Sequence, residues 1–192
     1  DTELSYWQVM EIALRELLIE KGHLTAAQIH LQINAMDSRS PANGARVVAR
    51  AWVDPEFKAA LLDNAGEASR AMGFDIGPMH LIALENTNEV HNVVVCTLCS
   101  CYPRNLLGLP PDWYKSRAYR SRTVIEPRKV LSEFGLILPE QMQVRVHDST
   151  ADMRYIVLPA QPEDSFDLSE EALAAWVTRD SMIGVGLPLA PQ

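Results

Sequence analysis

The sequence predicts an α+β protein in which an N-terminal helical arm precedes a mixed α/β layered domain. Helical periodicity dominates the chain before Gly77-Pro78, whereas short apolar or alternating runs with strand character follow that dipeptide. Helices first and strands later favour this class over a regular series of βαβ units. The chain has 192 residues, of which 47% are hydrophobic, so it is long enough for one domain with a real core and an appended arm.

Two short amphipathic helices are predicted ahead of the main body. Over Tyr6–Lys21 the apolar residues recur at spacings of three and four, and the following Gly22 favours termination. A second helix is predicted over Thr25–Ser38. We assign residues 1–43 to a helical arm and expect it to pack on another subunit, although covering this chain's own core fits the pattern equally well. Residues 44–192 form the predicted main domain.

The main body is predicted to contain a linker, further helices and four strands. Ser40–Gly44 has the composition of a linker or turn, and helical pattern follows over residues 47–62 with a new helix starting at Asp54-Pro55. The four predicted strands are Met79–Leu84, His91–Val95, Gln143–Val146 and Arg154–Leu158. The first two are expected to pair with each other across a polar turn. Two later helices are predicted over Arg117–Phe134 and Leu168–Thr178. Pro127 counts against a helix in the first part of Arg117–Phe134. Prolines after the second strand are expected to break any regular element there, at Pro103, Pro110 and Pro111.

The charge balance argues against a nucleic-acid partner. The formal net charge is -8, with 25 acidic residues against 17 basic ones, whereas phosphate binding relies on clustered Lys and Arg. One local basic cluster occurs among acidic residues of a predicted helix, so we interpret it as a solvated or subunit-facing surface: Arg117, Arg120, Arg122, Arg128 and Lys129.

Several features also argue against a membrane protein and favour a cytoplasmic one. No stretch approaches the roughly 20 apolar residues that a membrane span needs. The printed N-terminus lacks the basic start and apolar core of a signal peptide. Closely spaced, unpaired thiols favour a reducing compartment.

All three cysteines lie within six residues, as Cys96, Cys99 and Cys101. This C-x-x-C-x-C spacing excludes a disulfide framework and indicates one local metal site. Structural zinc usually takes four ligands in two separated pairs, and the chain has no second C-x-x-C. The segment Cys99-Ser100-Cys101 instead places backbone nitrogens beside the sulfurs, so a tight loop offers three sulfurs and two amides. Deprotonated amides favour a trivalent transition ion over Zn²⁺, and five protein ligands leave one position open for chemistry.

The run Val95–Tyr102 resembles the cysteine motif of the nitrile hydratase α subunit, V-C-(T/S)-L-C-S-C. The resemblance covers most of the chain from about Gly44 onward. It extends through Leu107–Pro111, Trp113–Lys115, Tyr119–Arg122, Glu126–Arg128, Tyr155–Pro159, Val177–Arg179 and Met182–Val185. It implies a nitrile hydratase α-chain-like fold and a metal-binding, catalytic role for residues 44–192.

The resemblance also implies a ligand set and a metal. Cys96, Cys99 and Cys101 would be the sulfur ligands, and the backbone amides of Ser100 and Cys101 would complete five positions. In the family the second cysteine of the motif, here Cys99, is a sulfinate and the third, here Cys101, is a sulfenate. Thr97 resembles the cobalt-type motif, whereas serine there goes with iron. Non-corrin Co(III) is therefore favoured over Fe(III).

The implied enzyme works only as a heteromer. In the family the oxidised sulfurs are bound by arginines of a separate β subunit, and some members have a separate third subunit. A nitrile bound through its nitrogen to the metal would be polarised toward attack. The nucleophile is the Cys101 sulfenate oxygen or a water that it activates, and Ser100 would hold the oxidised sulfurs by hydrogen bonds. This implies a nitrile hydratase, a lyase that converts a nitrile to its amide.

One departure from the family pattern concerns the substrate. Common nitrile hydratases continue the motif with roughly Tyr-Pro-Trp-Pro, whereas this chain has Tyr102-Pro103-Arg104-Asn105. Arg104 there resembles the metal-bearing subunit of thiocyanate hydrolase, whose substrate is an anion that a guanidinium suits. Arg104 is therefore a speculative substrate-binding residue, with a surface or subunit contact as the alternative. The three-subunit toyocamycin nitrile hydratase is another possible branch.

A third interpretation comes from a different class: a non-catalytic module whose cysteines store or sense a metal ion. The five histidines show no metal-ligand spacing, so we interpret each as an ordinary polar or packed residue: His23, His30, His80, His91 and His147. Glu85 and Asp148 fit either a supporting role at the metal site or a surface turn.

Overall fold

We describe residues 4–99 and 101–191 of a computed structural model of the protein. The chain divides into two compact units, residues 1–38 and 39–192. The first unit holds helices α1 (Tyr6–Glu20) and α2 (Ala26–Asp37), as the periodicity predicts. Each begins with a capping box, in which a serine or threonine and a glutamine three residues later satisfy each other's backbone groups. No described residue of either helix is buried.

The second unit combines nine α-helices, one short 3-10 helix (Glu163–Ser165) and four strands over its described residues. The helices are α3 (Pro41–Val53), α4 (Pro55–Asp63), α5 (Ala65–Ala71), α6 (Arg104–Leu107), α7 (Asp112–Lys115), α8 (Arg117–Arg122), α9 (Pro127–Glu133), α10 (Glu170–Trp176) and α11 (Arg179–Ile183). The strands are β1 (His80–Glu85), β2 (Val90–Val95), β3 (Gln143–Asp148) and β4 (Met153–Leu158). The α+β class and the four predicted strands are confirmed.

The strands pair differently from the prediction. In the described part of the chain β1 pairs in parallel with β4, and β2 pairs in parallel with β3. The expected pairing of β1 with β2 is therefore wrong. The side chain of Asn86, in the turn between them, lies inward and accepts a 2.8 Å hydrogen bond from the Asn92 backbone nitrogen. Parallel pairing also suits β2, because five of its six residues are buried.

The segment Ser40–Gly44 is not a linker, because helix α3 begins at Pro41. Proline suits the first helical position, where its missing N–H costs nothing. Gly44 is buried inside this helix, and a Cβ there would collide with the Leu107 side chain and lie 2.7 Å from the Met182 sulfur. The glycine therefore permits close packing rather than a turn.

Proline positions also explain two differences in the middle of the chain. The predicted helix Arg117–Phe134 is split, with α8 ending at Arg122 and α9 starting at Pro127. The segment after β2 was expected to lack regular structure, yet α6 and α7 follow Pro103 and Pro111 directly. Each spans only four residues, so a short helix starts after a proline instead of running through it.

The core of the second unit lies around β2. Val93, Val94 and Val95 are fully buried, together with Val157 of β4 and Ile183 of α11. Since β2 runs through this core, the chain leaves it at a fixed point, directly before Cys96. No helix among the described residues is long and apolar enough to cross a membrane.

Candidate metal centre

The three cysteines converge in a loop that follows β2, which we call the cysteine loop (residues 96–101). Cys96 is buried, Cys99 is exposed and Cys101 lies between these extremes. The Cys99 sulfur lies 3.7 Å from that of Cys96 and 3.2 Å from that of Cys101. All three sulfurs lie within 4.8 Å of one another. The core end of the loop is therefore fixed, while its middle faces outward.

This arrangement fits one metal ion. Two sulfurs that each lie about 2.3 Å from an ion are about 3.3 Å apart at a right angle and about 3.8 Å apart at a tetrahedral angle. The two sulfur–sulfur distances, 3.2 and 3.7 Å, lie close to these two values. The three sulfurs form a set that could hold an ion. Ser100 lies outside the described residues, so its ligand and catalytic roles stay predictions.

The protonation of Cys101 bears on metal binding. Burial raises the pKa of the Cys101 thiol to about 12, and its hydrogen bonds with Cys99 and Cys96 act in the same direction. The ligand form of cysteine is the thiolate. Proton loss and metal binding at this sulfur are therefore linked.

The Arg120 guanidinium binds the backbone of the cysteine loop. Its Nε donates to the Cys96 carbonyl at 3.0 Å, and a terminal nitrogen donates to the Thr97 carbonyl at 2.9 Å. Arg120, interpreted from sequence as part of a solvated or subunit-facing surface, is thus half-buried and bound within the chain. Its only sequence signal was its place in the segment Tyr119–Arg122 that resembles the family, because the backbone carbonyls that it binds are common to all residue types.

Two other members of the basic cluster are likewise engaged within the chain. The Arg122 guanidinium binds the carboxylates of Glu126 and Glu133. Arg128 donates to backbone carbonyls between Leu138 and Met142. Both guanidinium groups therefore have hydrogen-bond partners within the chain, without a ligand.

Asp148 holds the same loop from the other side. Its carboxylate accepts from the Thr97 backbone nitrogen at 2.9 Å and from the Thr97 hydroxyl at 2.5 Å. The residue ends β3, where it lies in register with Val95 of β2. Parallel pairing thus brings Asp148 to the edge where the loop begins, and the supporting role weighed from sequence has a geometric basis.

Two tyrosines that sequence reasoning did not select also bind carbonyls near the site. The Tyr114 hydroxyl donates to the Cys101 carbonyl at 2.8 Å, and the Tyr119 hydroxyl donates to the Val94 carbonyl at 2.7 Å. Both rings are buried in an aromatic cluster with Tyr102 and Trp113. The only sequence signal was their place within the segments that resemble the family.

The outer side of the site exposes both an apolar and a charged side chain to solvent. Leu98, between the cysteines, is 80% exposed. Arg104 is exposed at the start of α6, and among residues 4–99 and 101–191 no carboxylate forms an ion pair with it. Its substrate-binding role stays a prediction.

His91 is a packed residue, as interpreted from sequence. It is 2% exposed, and its ring contacts Asn86 at 3.2 Å and the Gly184 carbonyl at 2.8 Å. Burial lowers the pKa of His91, which favours the neutral ring. The described cluster that could bind a metal contains the three cysteines and no histidine.

Known proteins resemble this chain over nearly its whole length. Residues 5–186 match the family model for nitrile hydratase, alpha chain. The low-molecular weight cobalt-containing nitrile hydratase subunit alpha of Rhodococcus rhodochrous is 49% identical over 184 residues, which cover 94% of this chain and 88% of the relative. Thiocyanate hydrolase subunit gamma of Thiobacillus thioparus is 43% identical over 198 residues, which cover 97% of this chain and 82% of the relative. A solved double mutant of the Fe-type nitrile hydratase from Comamonas testosteroni Ni1 has a TM-score of 0.88 and 44% identity, and covers 99% of this chain and 94% of that chain.

Proposed function

Because this chain belongs to the family of nitrile hydratase alpha chains, we propose that it is the metal-bearing subunit of an enzyme that hydrates nitriles to amides. The observation that carries the proposal is the grouping of the Cys96, Cys99 and Cys101 sulfurs within 4.8 Å. We assign the chemistry to residues 44–192. Closely spaced cysteines that form no disulfide favour a reducing, cytoplasmic location.

Cobalt in its trivalent state is the proposed metal. The chain has threonine at position 97, as the cobalt-type motif does, and several relatives are named cobalt-containing. The Fe-type relative makes Fe(III) the alternative. We propose that the sulfurs of Cys96, Cys99 and Cys101 hold the ion together with the backbone amides of Ser100 and Cys101.

The residues of the loop are proposed to act on a polarised nitrile. The bound metal supplies Lewis acidity toward the nitrile nitrogen. We assign a sulfinate to Cys99 and a sulfenate to Cys101, and the Cys101 sulfenate oxygen or a water that it activates attacks the nitrile carbon. Ser100 orients the oxidised sulfurs. If the sulfenate oxygen attacks, its bond to sulfur breaks, it ends in the amide, and one water restores the oxygen on sulfur. If a water attacks, its oxygen goes directly to carbon. In both cases one water is consumed, both of its protons end on the amide nitrogen, and there is no net oxidation or reduction.

A partner subunit is proposed to complete the site. Leu98 is 80% exposed at the centre of the loop, where the surface of a partner subunit would cover it. Oxidised cysteines carry negative oxygens that suit arginine donors, and we assign these arginines to a β subunit or to a β and a third subunit. The arm, residues 1–43, supports the same proposal. Trp7, Met10 and Leu14 of α1 are 77, 48 and 57% exposed.

Thiocyanate hydrolysis is the second candidate. Arg104 directly follows the Tyr102-Pro103 pair, is exposed, and suits an anion. The 43% identical thiocyanate hydrolase subunit gamma supports this candidate, whereas the family match and the relatives of 46 to 50% identity support nitrile hydration.

The test is production of this chain with its neighbouring subunits in cobalt-supplemented medium. We expect about one inert cobalt per chain and conversion of nitriles to amides. Production of carbonyl sulfide and ammonia from thiocyanate, without amide from nitriles, would establish the second candidate. A Cys101→Ala variant of the same complex is the matched control. Loosely held divalent metal with unoxidised cysteines in the parent complex would leave only a non-catalytic metal-binding module.

A further inference from the structure

We infer that Arg120 and Asp148 form a two-sided clamp on the peptide unit between Cys96 and Thr97, and that this clamp positions the cysteine loop for metal uptake. The inference rests on the proposed metal site. It assigns positioning roles to two residues that do not touch the substrate.

The clamp is defined by hydrogen bonds on opposite ends of one peptide unit. The Cys96 carbonyl accepts from Arg120 Nε at 3.0 Å, and the Thr97 N–H of the same unit donates to Asp148 at 2.9 Å. A cation thus binds the oxygen and an anion binds the N–H. Both bonds are charge-assisted, which makes them stronger than neutral ones. Rotation of this peptide would break both at once.

A second pair of bonds restrains the next residue. Arg120 also donates to the Thr97 carbonyl at 2.9 Å, and Asp148 also accepts from the Thr97 hydroxyl at 2.5 Å. The planar guanidinium therefore spans two successive carbonyls, while the carboxylate binds the backbone and side chain of Thr97. Lysine has no such fork, so it would keep the charge but lose the two-point geometry.

The clamped peptide determines where the first sulfur lies. Cys96 is fully buried, and its sulfur accepts a 3.3 Å hydrogen bond from the Cys99 backbone nitrogen. Once the Cys96–Thr97 peptide is fixed, this sulfur is fixed relative to β2, and the rest of the loop turns around it. Residues that orient metal ligands from outside typically change metal affinity or activity 10- to 100-fold.

The charge of Arg120 supports the same role. No described carboxylate forms an ion pair with Arg120, whereas Arg122, two residues later in α8, binds Glu126 and Glu133. Thiolates and deprotonated amides together carry more negative charge than one trivalent ion neutralises. The Asp148 carboxylate adds one further negative charge, and the Arg120 guanidinium held against the loop backbone offsets it, so that the clamp as a whole is neutral.

The experiment measures cobalt uptake by the complex produced in cobalt-depleted medium. A Co(II) salt is added, and cobalt per chain is followed with time by elemental analysis. We expect Arg120→Met and Asp148→Asn each to slow uptake about tenfold. We expect Arg120→Lys to recover only part of the rate. The double variant should be no slower than the slower single variant, because either change releases the same peptide.

The matched control is Arg122→Met, which removes a guanidinium from the same helix but not from the loop. It should take up cobalt at the parent rate, even if its thermal unfolding midpoint falls as far as that of Arg120→Met. The clamp is overturned if Arg120→Met takes up cobalt at the parent rate, or if the Arg120 and Asp148 effects multiply. A parent complex that holds no cobalt even when it is produced in cobalt-supplemented medium would instead overturn the proposed function, and the clamp with it.

Discussion

The Tyr114 hydroxyl lies 2.8 Å from the carbonyl oxygen of Cys101 and donates a hydrogen bond to it. The tyrosine is fully buried in α7, and burial raises its pKa, so the hydroxyl keeps its proton and remains a donor. The far end of the cysteine loop is therefore tied to the core by a neutral hydrogen bond, while its near end is held by the charged pair of Arg120 and Asp148.

Tyr114→Phe should loosen that far end. The change removes one buried hydrogen bond and leaves the Cys101 carbonyl without this donor, so we expect a loss of about 1 kcal/mol in the free energy of unfolding. We also expect lower cobalt occupancy, because the Cys101 sulfur and amide are proposed ligands. Urea unfolding and elemental analysis of the complex measure the two effects.

Tyr119→Phe is the control for that prediction. It deletes the same group from the same aromatic cluster, but the lost bond ends on the Val94 carbonyl in β2, outside the loop. It should cost similar stability and leave cobalt occupancy unchanged. Equal occupancy in both variants would show that the bond to Cys101 has no role in the site.

Gly184→Ala should destabilise the main domain. Gly184 ends α11 with φ of +85°, and an added Cβ would collide with the Asn92 carbonyl oxygen and lie 2.9 Å from its carbon. Strain and overpacking each cost about 1–3 kcal/mol, so we expect a loss of roughly 2–6 kcal/mol in the free energy of unfolding. Urea unfolding measures it.

Gly135→Ala separates the two causes. This glycine has nearly the same φ, +84°, but an added Cβ would meet no atom within 4 Å. We therefore expect only the backbone cost, about 1 kcal/mol or slightly more. Similar losses in both variants would mean that the contact between Gly184 and β2 is not tight.

Stability should depend on pH through His91. Burial lowers the pKa of the ring in the folded protein, whereas in the unfolded chain it lies near its ordinary value of about 6.5. Below about pH 6.5 the unfolded chain binds the proton more readily, so the free energy of unfolding falls as the pH falls. Above that pH both states hold the neutral ring, and this contribution is constant.

His91→Gln should remove that contribution, so the difference in unfolding free energy between parent and variant should shrink as the pH falls below about 6.5. Urea unfolding between pH 5 and 8 measures it. His80→Gln, which removes an exposed histidine of β1 and leaves His91 in place, is the control and should keep the loss of stability that His91 causes below about pH 6.5. A parallel pair of curves for His91→Gln would contradict the prediction.

Arg104→Leu distinguishes the substrate classes. If the guanidinium binds an anionic substrate, its loss should raise KM for thiocyanate about tenfold or more, because a charge-assisted hydrogen bond is lost. For neutral nitriles we expect KM and kcat to change little, since no substrate charge is involved. Steady-state kinetics of the complex with both substrates measure this, and a tenfold KM increase for nitriles alone would contradict it.

Short-range patterns predicted most of the elements. Helical periodicity placed α1 and α2, and apolar runs placed the four strands, because both signals depend on neighbours in the sequence. The pairing of β1 with β4 could not be read in the same way. It joins strands about 70 residues apart, and their composition suits several partners.

The sequence by itself determined the chemistry of the site: three sulfurs within six residues, in a spacing that identifies the family. Only the tertiary structure decided which residues hold the loop that carries these sulfurs. Arg120 and Asp148 lie 23 and 51 residues from Thr97, and they meet it only because α8 and the end of β3 both reach the end of β2. Apart from the Thr97 hydroxyl, their targets are a peptide N–H and two backbone carbonyls. Nearly every residue carries these groups, so only the folded chain distinguishes one from another.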